Sequence, residues 1–129
     1  MSQEYSSKFF TDAELACPAS GLVILAPNFL ENLDKLRIEF GHPMKVNSAC
    51  RSTAHNKRVR GALNSFHICD TGRGCCAIDI ATPTPLYRTK LARMALDHGW
   101  SVGVAKTFLH LDMRTQVSNG KAPQVIFSY

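Results

Sequence analysis

The chain has 129 residues, of which 45% are hydrophobic and 19% charged, and its net charge is +5. That length fits one domain spanning residues 1–129 with a sizeable core, and the composition excludes a disordered chain. The longest apolar run, Gly21 to Pro27, falls far short of the roughly 18 residues that span a bilayer, which excludes stable membrane insertion by a helix.

The first five residues, Met1-Ser-Gln-Glu-Tyr5, lack the basic and apolar regions of a secretory signal. Synthesis in the cytoplasm is therefore expected, with any export by another route. The positive charge favours anionic partners: nucleic acid, an acidic wall polymer or a membrane surface. Arg51, Lys57, Arg58 and Arg60 form the only local basic cluster, and no aromatics are interleaved with them. A nucleic-acid partner is not expected from so thin a pattern.

Thr11-Asp-Ala-Glu14 fits a capping box that opens a short helix, and Pro18 and Gly21 then break the chain. Pro27 to Phe40 reads as the first main helix, with Pro27 in its first turn and Gly41 at its left-handed end. Phe29, Leu30, Leu33, Leu36 and Phe40 recur at helical spacing and should face the core. His42-Pro43 forces a turn. Met44 to Cys50 alternates and reads as a strand with Val46 inward.

Ser52 to Arg60 is polar and holds one short helical turn, capped by Ser52 or Thr53, and Gly61 to Phe66 is loop. Cys75 to Ala81 is a strand. A second long helix, capped by Thr84, runs from Pro85 to His98 and stops at Gly99, with Leu86, Leu91, Met94 and Ala95 inward. Three more strands follow, Trp100 to Ala105, Phe108 to Arg114 and Val125 to Tyr129. This order predicts an α+β fold, with helices packed on a mainly antiparallel sheet.

Five cysteines, Cys17, Cys50, Cys69, Cys75 and Cys76, make an odd count with no Cys-x-x-Cys spacing, and they read as free thiols. A redox role for Cys75 and Cys76 is the weakest functional reading, because adjacent cysteines rarely make a good disulfide.

The chemistry concentrates between Ser65 and Ala81. Asp79 lies between Ile78 and Ile80, so in a strand the isoleucines share one face and Asp79 shares the other with Ala77 and Ala81. Phe108-Leu-His-Leu-Asp112 repeats the design, with His110 and Asp112 on one face and the leucines on the other. A lone histidine is more often a surface or core residue than a ligand. Repetition of a ligand type between apolar residues in two strands is what points to a metal. His67, Asp79 and His110 make a three-donor zinc set that leaves a fourth position for water.

Six blocks occur in one order: Asn47-Ser-Ala-Cys-Arg51, His55-Asn56, Gly61-Ala62, Ser65-Phe-His67, Ala77-Ile-Asp-Ile80 and Phe108-Leu-His-Leu-Asp112. With Phe10-Thr-Asp-Ala-Glu-Leu15 ahead of them, they resemble the D-alanyl-D-alanine carboxypeptidase-like zinc peptidases, which share a fold with hedgehog signalling domains. The chain is most similar to the small type carried by phages and prophages. The resemblance implies a hedgehog/DD-peptidase-like fold, with Zn2+ held by His67, Asp79 and His110. It implies a peptidoglycan stem peptide containing D-amino acids as substrate, cut by a carboxypeptidase or by an endolysin endopeptidase at the bacterial wall. It also places Arg51 in the site, where a guanidinium fork can hold a carboxylate or carbonyl. The alternative for Arg51 is a structural ion pair. Ser65 is either a hydrogen-bonding neighbour of the site or a turn residue.

The chain departs from that family's pattern twice. The segment between His67 and Asp79 is longer than usual, which lets Cys69 or Asp70 compete as ligands. Relatives often carry an acid or a histidine shortly before the last zinc histidine, and Ser101 to Leu109 contains neither. Asp112 is then either the general base or the residue that orients a ligand. A protein that keeps the fold without turnover, as a wall-binding or phage structural module, is the alternative to an enzyme.

Overall fold

The computed structural model describes residues 5–129. Thr11 accepts the Glu14 amide and Glu14 returns to the Thr11 amide, so the capping box opens α1 (Asp12–Leu15) as its sequence predicts. α2 (Phe29–Phe40) ends on Gly41 at φ 73°, the left-handed residue that glycine supplies most cheaply. Its start differs from expectation, because Pro27 lies outside the helix. A bridge between Leu25 and Cys75 holds the preceding residues extended, and the chain turns into the helix only at Asn28, at φ 66°.

β1 (Val46–Ser48) is shorter than the predicted strand and carries a register shift against its partner. Beyond it the chain bends away, and the amides of Cys50 and Arg51 pair with the carbonyls of Leu15 and His67. Ser52 caps α3 (Thr53–Arg58) through the His55 amide. β2 (Ala77–Ala81) follows the long loop, and α4 (Pro85–Asp97) opens on the Thr84 cap. Leu86 is not inward: it is 65% exposed, while Tyr87, Leu91 and Ala95 trace the packed face at four-residue spacing. Tyr87 meets the edge of Phe40 at 4.9 Å and donates its hydroxyl to the Pro43 carbonyl.

β3 (Ser101–Val104) and β4 (Phe108–Asp112) form a hairpin, and a short helix, α5 (Arg114–Val117), occupies the residues just past β4. β5 (Ile126–Ser128) then pairs parallel with β3. The strands lie in the order β1-β2-β4-β3-β5, antiparallel except for that last pair, so the fold is the expected mixed α and β one.

The sheet has two chemically distinct faces. Ile78 pairs with Leu111 and Ile80 with Leu109, and Val102 lies beside Leu111. All five are fully buried in the core with Phe29, Leu33 and Leu36 of α2 and Leu91 and Ala95 of α4. Trp100 closes this layer, edge-on to Phe29 at 5.8 Å. Burial of a large aliphatic or aromatic side chain is worth about 1.5–3 kcal/mol, so this face dominates the stability of the domain. The opposite face carries Asp79, His110 and Asp112. No helix among the described residues is long and apolar enough to cross a membrane.

Candidate metal centre

Strand alternation delivers the first two donors. Asp79 of β2 and His110 of β4 are direct partners in the antiparallel register, so their side chains rise from one face side by side. The third, His67, comes from the loop after α3. The Arg51–Ile68 bridge and the Arg51 amide on the His67 carbonyl pin its backbone beside β1.

The two rings and the carboxylate converge. His67 Nε2 lies 3.1 Å from Asp79 Oδ1 and 3.3 Å from His110 Nδ1, and His110 Nδ1 lies 3.1 Å from the same Asp79 oxygen. Among the described residues, this is the one group of three candidate ligands whose donor atoms all lie within 4.8 Å of one another. All three residues are buried.

The outer edge of each ring fixes which atoms face inward. His67 Nδ1 is 2.7 Å from the Ala49 carbonyl, which can only accept, so Nδ1 carries the proton and Nε2 a lone pair. His110 Nε2 is 2.7 Å from Asp112 Oδ2, which leaves the lone pair on Nδ1. In the neutral rings, three electron-rich atoms therefore face one another with no hydrogen between them. Such an arrangement is repulsive unless a proton or a cation joins it. A four-coordinate zinc with N and O ligands near 2.0–2.1 Å sets donor–donor separations of about 3.3 Å, and the observed spacings fit it.

The electrostatics agree. Burial pushes the Asp79 carboxyl up, but the His110 and His67 rings outweigh burial and hold it far below the usual range. Burial likewise opposes a charged His110, but Asp112 and Asp79 overcome it and raise the ring's pKa. Both directions describe a site that rewards positive charge at its centre.

Asp112 is completely buried and both of its oxygens are engaged. Oδ2 accepts from His110 Nε2 and from an Arg114 terminal nitrogen at 2.7 Å each, and Oδ1 accepts from the Arg114 amide and Nε at 2.9 Å each. Burial raises its pKa, yet His110 and Arg114 hold it down to about 2. The Arg114 guanidinium also lies over the rings of Phe66 and Phe127, and Phe127 leans on His110 at 5.7 Å. Sequence reading missed Arg114. The signal was its spacing of two from Asp112, which returns a side chain to the same edge.

Arg51 stands at the rim. Its terminal nitrogens lie 3.6 Å from Asp79 Oδ2 and 3.3 Å from Asn56 Oδ1, and its Nε donates to Ser48. Gly61 makes room for this, since a Cβ there would fall 2.1 Å from Asn56 Oδ1. Ser65 accepts the His67 amide, as a turn residue does.

The long loop does not enter the site. Asp70 is drawn to the Thr53 amide and hydroxyl, and Cys69 is buried among other thiols. Arg73 ties the loop back to the Ser65, Ile68 and Gly74 carbonyls and covers the Phe66 ring. Neither Cys69 nor Asp70 belongs to the donor group.

A buried His–Asp–His set on one face of a mainly antiparallel sheet, with an arginine at its rim, is able to hold a metal ion. The chain belongs to the peptidase M15 family, whose model matches residues 8–112. That match takes in every element from α1 to β4, and all three donors. No curated protein matches the chain.

Proposed function

We propose that the chain is a zinc-dependent peptidase that hydrolyses stem peptides of bacterial peptidoglycan, with His67, Asp79 and His110 as the zinc ligands. The observation that carries this reading is the set of three inward lone pairs spaced 3.1 to 3.3 Å apart. Zinc held there supplies a polarised scissile carbonyl and a bound water whose pKa falls to about 7.

The surrounding residues have separable tasks. Arg51 offers guanidinium donors at the rim, beside Asp79, where a peptide carbonyl or terminal carboxylate can dock. Asp112 holds the His110 proton on Nε2 and so keeps Nδ1 free; Arg114 in turn holds Asp112. With both oxygens occupied, Asp112 fits this orienting task better than that of a general base. The net charge of +5 suits approach to an anionic wall. The resemblance to phage and prophage enzymes points to an endolysin or tail-associated role, and a D-alanyl-D-alanine carboxypeptidase is the other form of the same chemistry.

One observation favours a second reading, a wall-binding module without turnover: no acid or histidine precedes His110 in β3 or its hairpin, and Asp112 has no free oxygen. Incubation of the zinc-loaded protein with purified peptidoglycan separates the two. New amino groups that vanish with a chelator, located by mass spectrometry of the fragments, support the peptidase and identify the bond. Zinc binding without release across several wall types supports the module.

A further inference from the structure

We propose that Cys50 and Cys75 are a site of oxidative modification, at which peroxide closes a disulfide behind the metal centre. Four of the five cysteines, Cys17, Cys50, Cys69 and Cys75, gather in a second buried cluster separate from the main core. Cys75 and Cys76, adjacent in sequence, point to opposite sides: Cys76 packs into the main core and Cys75 into the thiol cluster. The neighbours of Cys75 are therefore Cys17, Cys50 and Cys69, not Cys76.

Cys50 and Cys75 converge on one atom. The Ile24 carbonyl accepts the Cys75 amide at 2.8 Å and faces the Cys50 sulfur at 4.0 Å. Both thiols belong to the one buried cluster, and the Cys75 thiol is the neighbour that acts most strongly on Cys50, ahead of Cys69. Cys75 has no competing strong partner; its thiol donates only weakly, to the Ala77 carbonyl at 3.2 Å. The cluster is not gathered as a metal site is, since no three of its sulfurs meet the mutual spacing that the His67, Asp79 and His110 donors do.

The two thiols also differ in acidity. Cys75 beside it, against the opposing effect of burial, lowers the Cys50 pKa, while Cys50 and burial raise that of Cys75. Cys50 is then the attacking sulfur. Its thiolate attacks hydrogen peroxide, the O–O bond breaks, hydroxide leaves and Cys50 becomes a sulfenic acid. The Cys75 thiol gives up its proton as it attacks that sulfur, and the displaced hydroxide takes the proton as water, closing the S–S bond. Two thiols lose two electrons and two protons, and one peroxide becomes two waters.

The position of this bond relates it to the centre. Cys50 lies between Ala49, whose carbonyl holds His67, and Arg51, at the rim. Cys75 lies just before β2, which carries Asp79. A disulfide ties these two backbones together and encloses the segment that bears His67.

Treatment of the folded, zinc-loaded protein with hydrogen peroxide tests this without reference to activity. Expected are a loss of two hydrogens in the intact mass and of two thiols from the five. A Cys50–Cys75 cross-linked peptide should appear in a non-reduced digest, and dithiothreitol should reverse all three. Cys75→Ala should leave a sulfenic acid on Cys50 that dimedone traps, and Cys76→Ala should leave the cross-link intact. A cross-link through Cys17, Cys69 or Cys76, oxidation to sulfinic acid with no cross-link, or cross-linking only in denaturant overturns the proposal. So does a second bound zinc that Cys75→Ala releases. The wild-type peptide map decides the matter even if a variant fails to fold.

Discussion

His110 works through its two nitrogens, and each is committed by a different neighbour. Nε2 is held by Asp112, so Nδ1 must face Asp79 and His67. Removing an outer partner of a metal-bound histidine typically weakens metal affinity or activity by about 10–100-fold. Asp112→Asn should therefore lower zinc affinity on that scale, read by competition with a chromophoric chelator. Unchanged affinity with lost turnover would make Asp112 the base instead. His67→Ala or His110→Ala should lose the single bound zinc altogether, measured by metal analysis of the purified variants. Arg51→Lys keeps the charge and loses the fork; hydrogen bonds to charged groups are worth about 1.5–3 kcal/mol, so kcat/KM should fall roughly ten- to hundredfold with zinc retained. Loss of zinc in that variant would make Arg51 structural. pH acts on the same atoms. The raised His110 pKa means that a proton stabilises the zinc-free fold below the ordinary imidazole value of 6.5, and that this contribution is lost as the pH rises through the raised value. The proton and the cation compete for Nδ1, so zinc affinity should fall as the medium is acidified through that range.

The sheet is the device that sets these residues side by side. Gly103 of β3 is the register partner of His110, and a Cβ there would lie 2.5 Å from the Phe127 ring of β5. The missing side chain lets Phe127 cross over and rest on His110. Gly103→Ala should displace that ring and destabilise the protein by about 1–3 kcal/mol, the usual range for overpacking, as measured by denaturant unfolding. A neutral result would show that β5 yields freely. Local rules made much of this level legible. Capping at Thr11, Ser52 and Thr84, the left-handed Gly41 and the alternation around Asp79 and His110 each depend on residues a few positions apart. The misreadings have one kind of cause: the bridge from Leu25 to Cys75 keeps the chain before Asn28 out of α2, Pro27 included, and Leu86 is left outside by the packing of Tyr87 on Phe40. Those contacts join residues far apart in the chain.

At the scale of the molecule, the candidate metal site joins parts of the chain that touch only in the folded state. A ligand that binds only the native state adds stability of RT ln(1 + [L]/Kd), about 4 kcal/mol when free zinc exceeds Kd a thousandfold. Zinc should therefore raise the thermal midpoint by several degrees over the chelated protein, and His110→Ala should erase the difference. An equal rise in that variant would place the stabilising ion elsewhere. The sequence by itself determined the fold class and the two amphipathic strands, because alternation and residue type are local properties of the chain, and it singled out the three residues that the fold brings together. Only the tertiary structure decided which nitrogen of each ring faces inward, that Arg114 takes both oxygens of Asp112, and that Cys75 packs among Cys17, Cys50 and Cys69 while Cys76 enters the main core. Each of those outcomes depends on hydrogen bonds and packing between distant segments, which no spacing along the chain encodes.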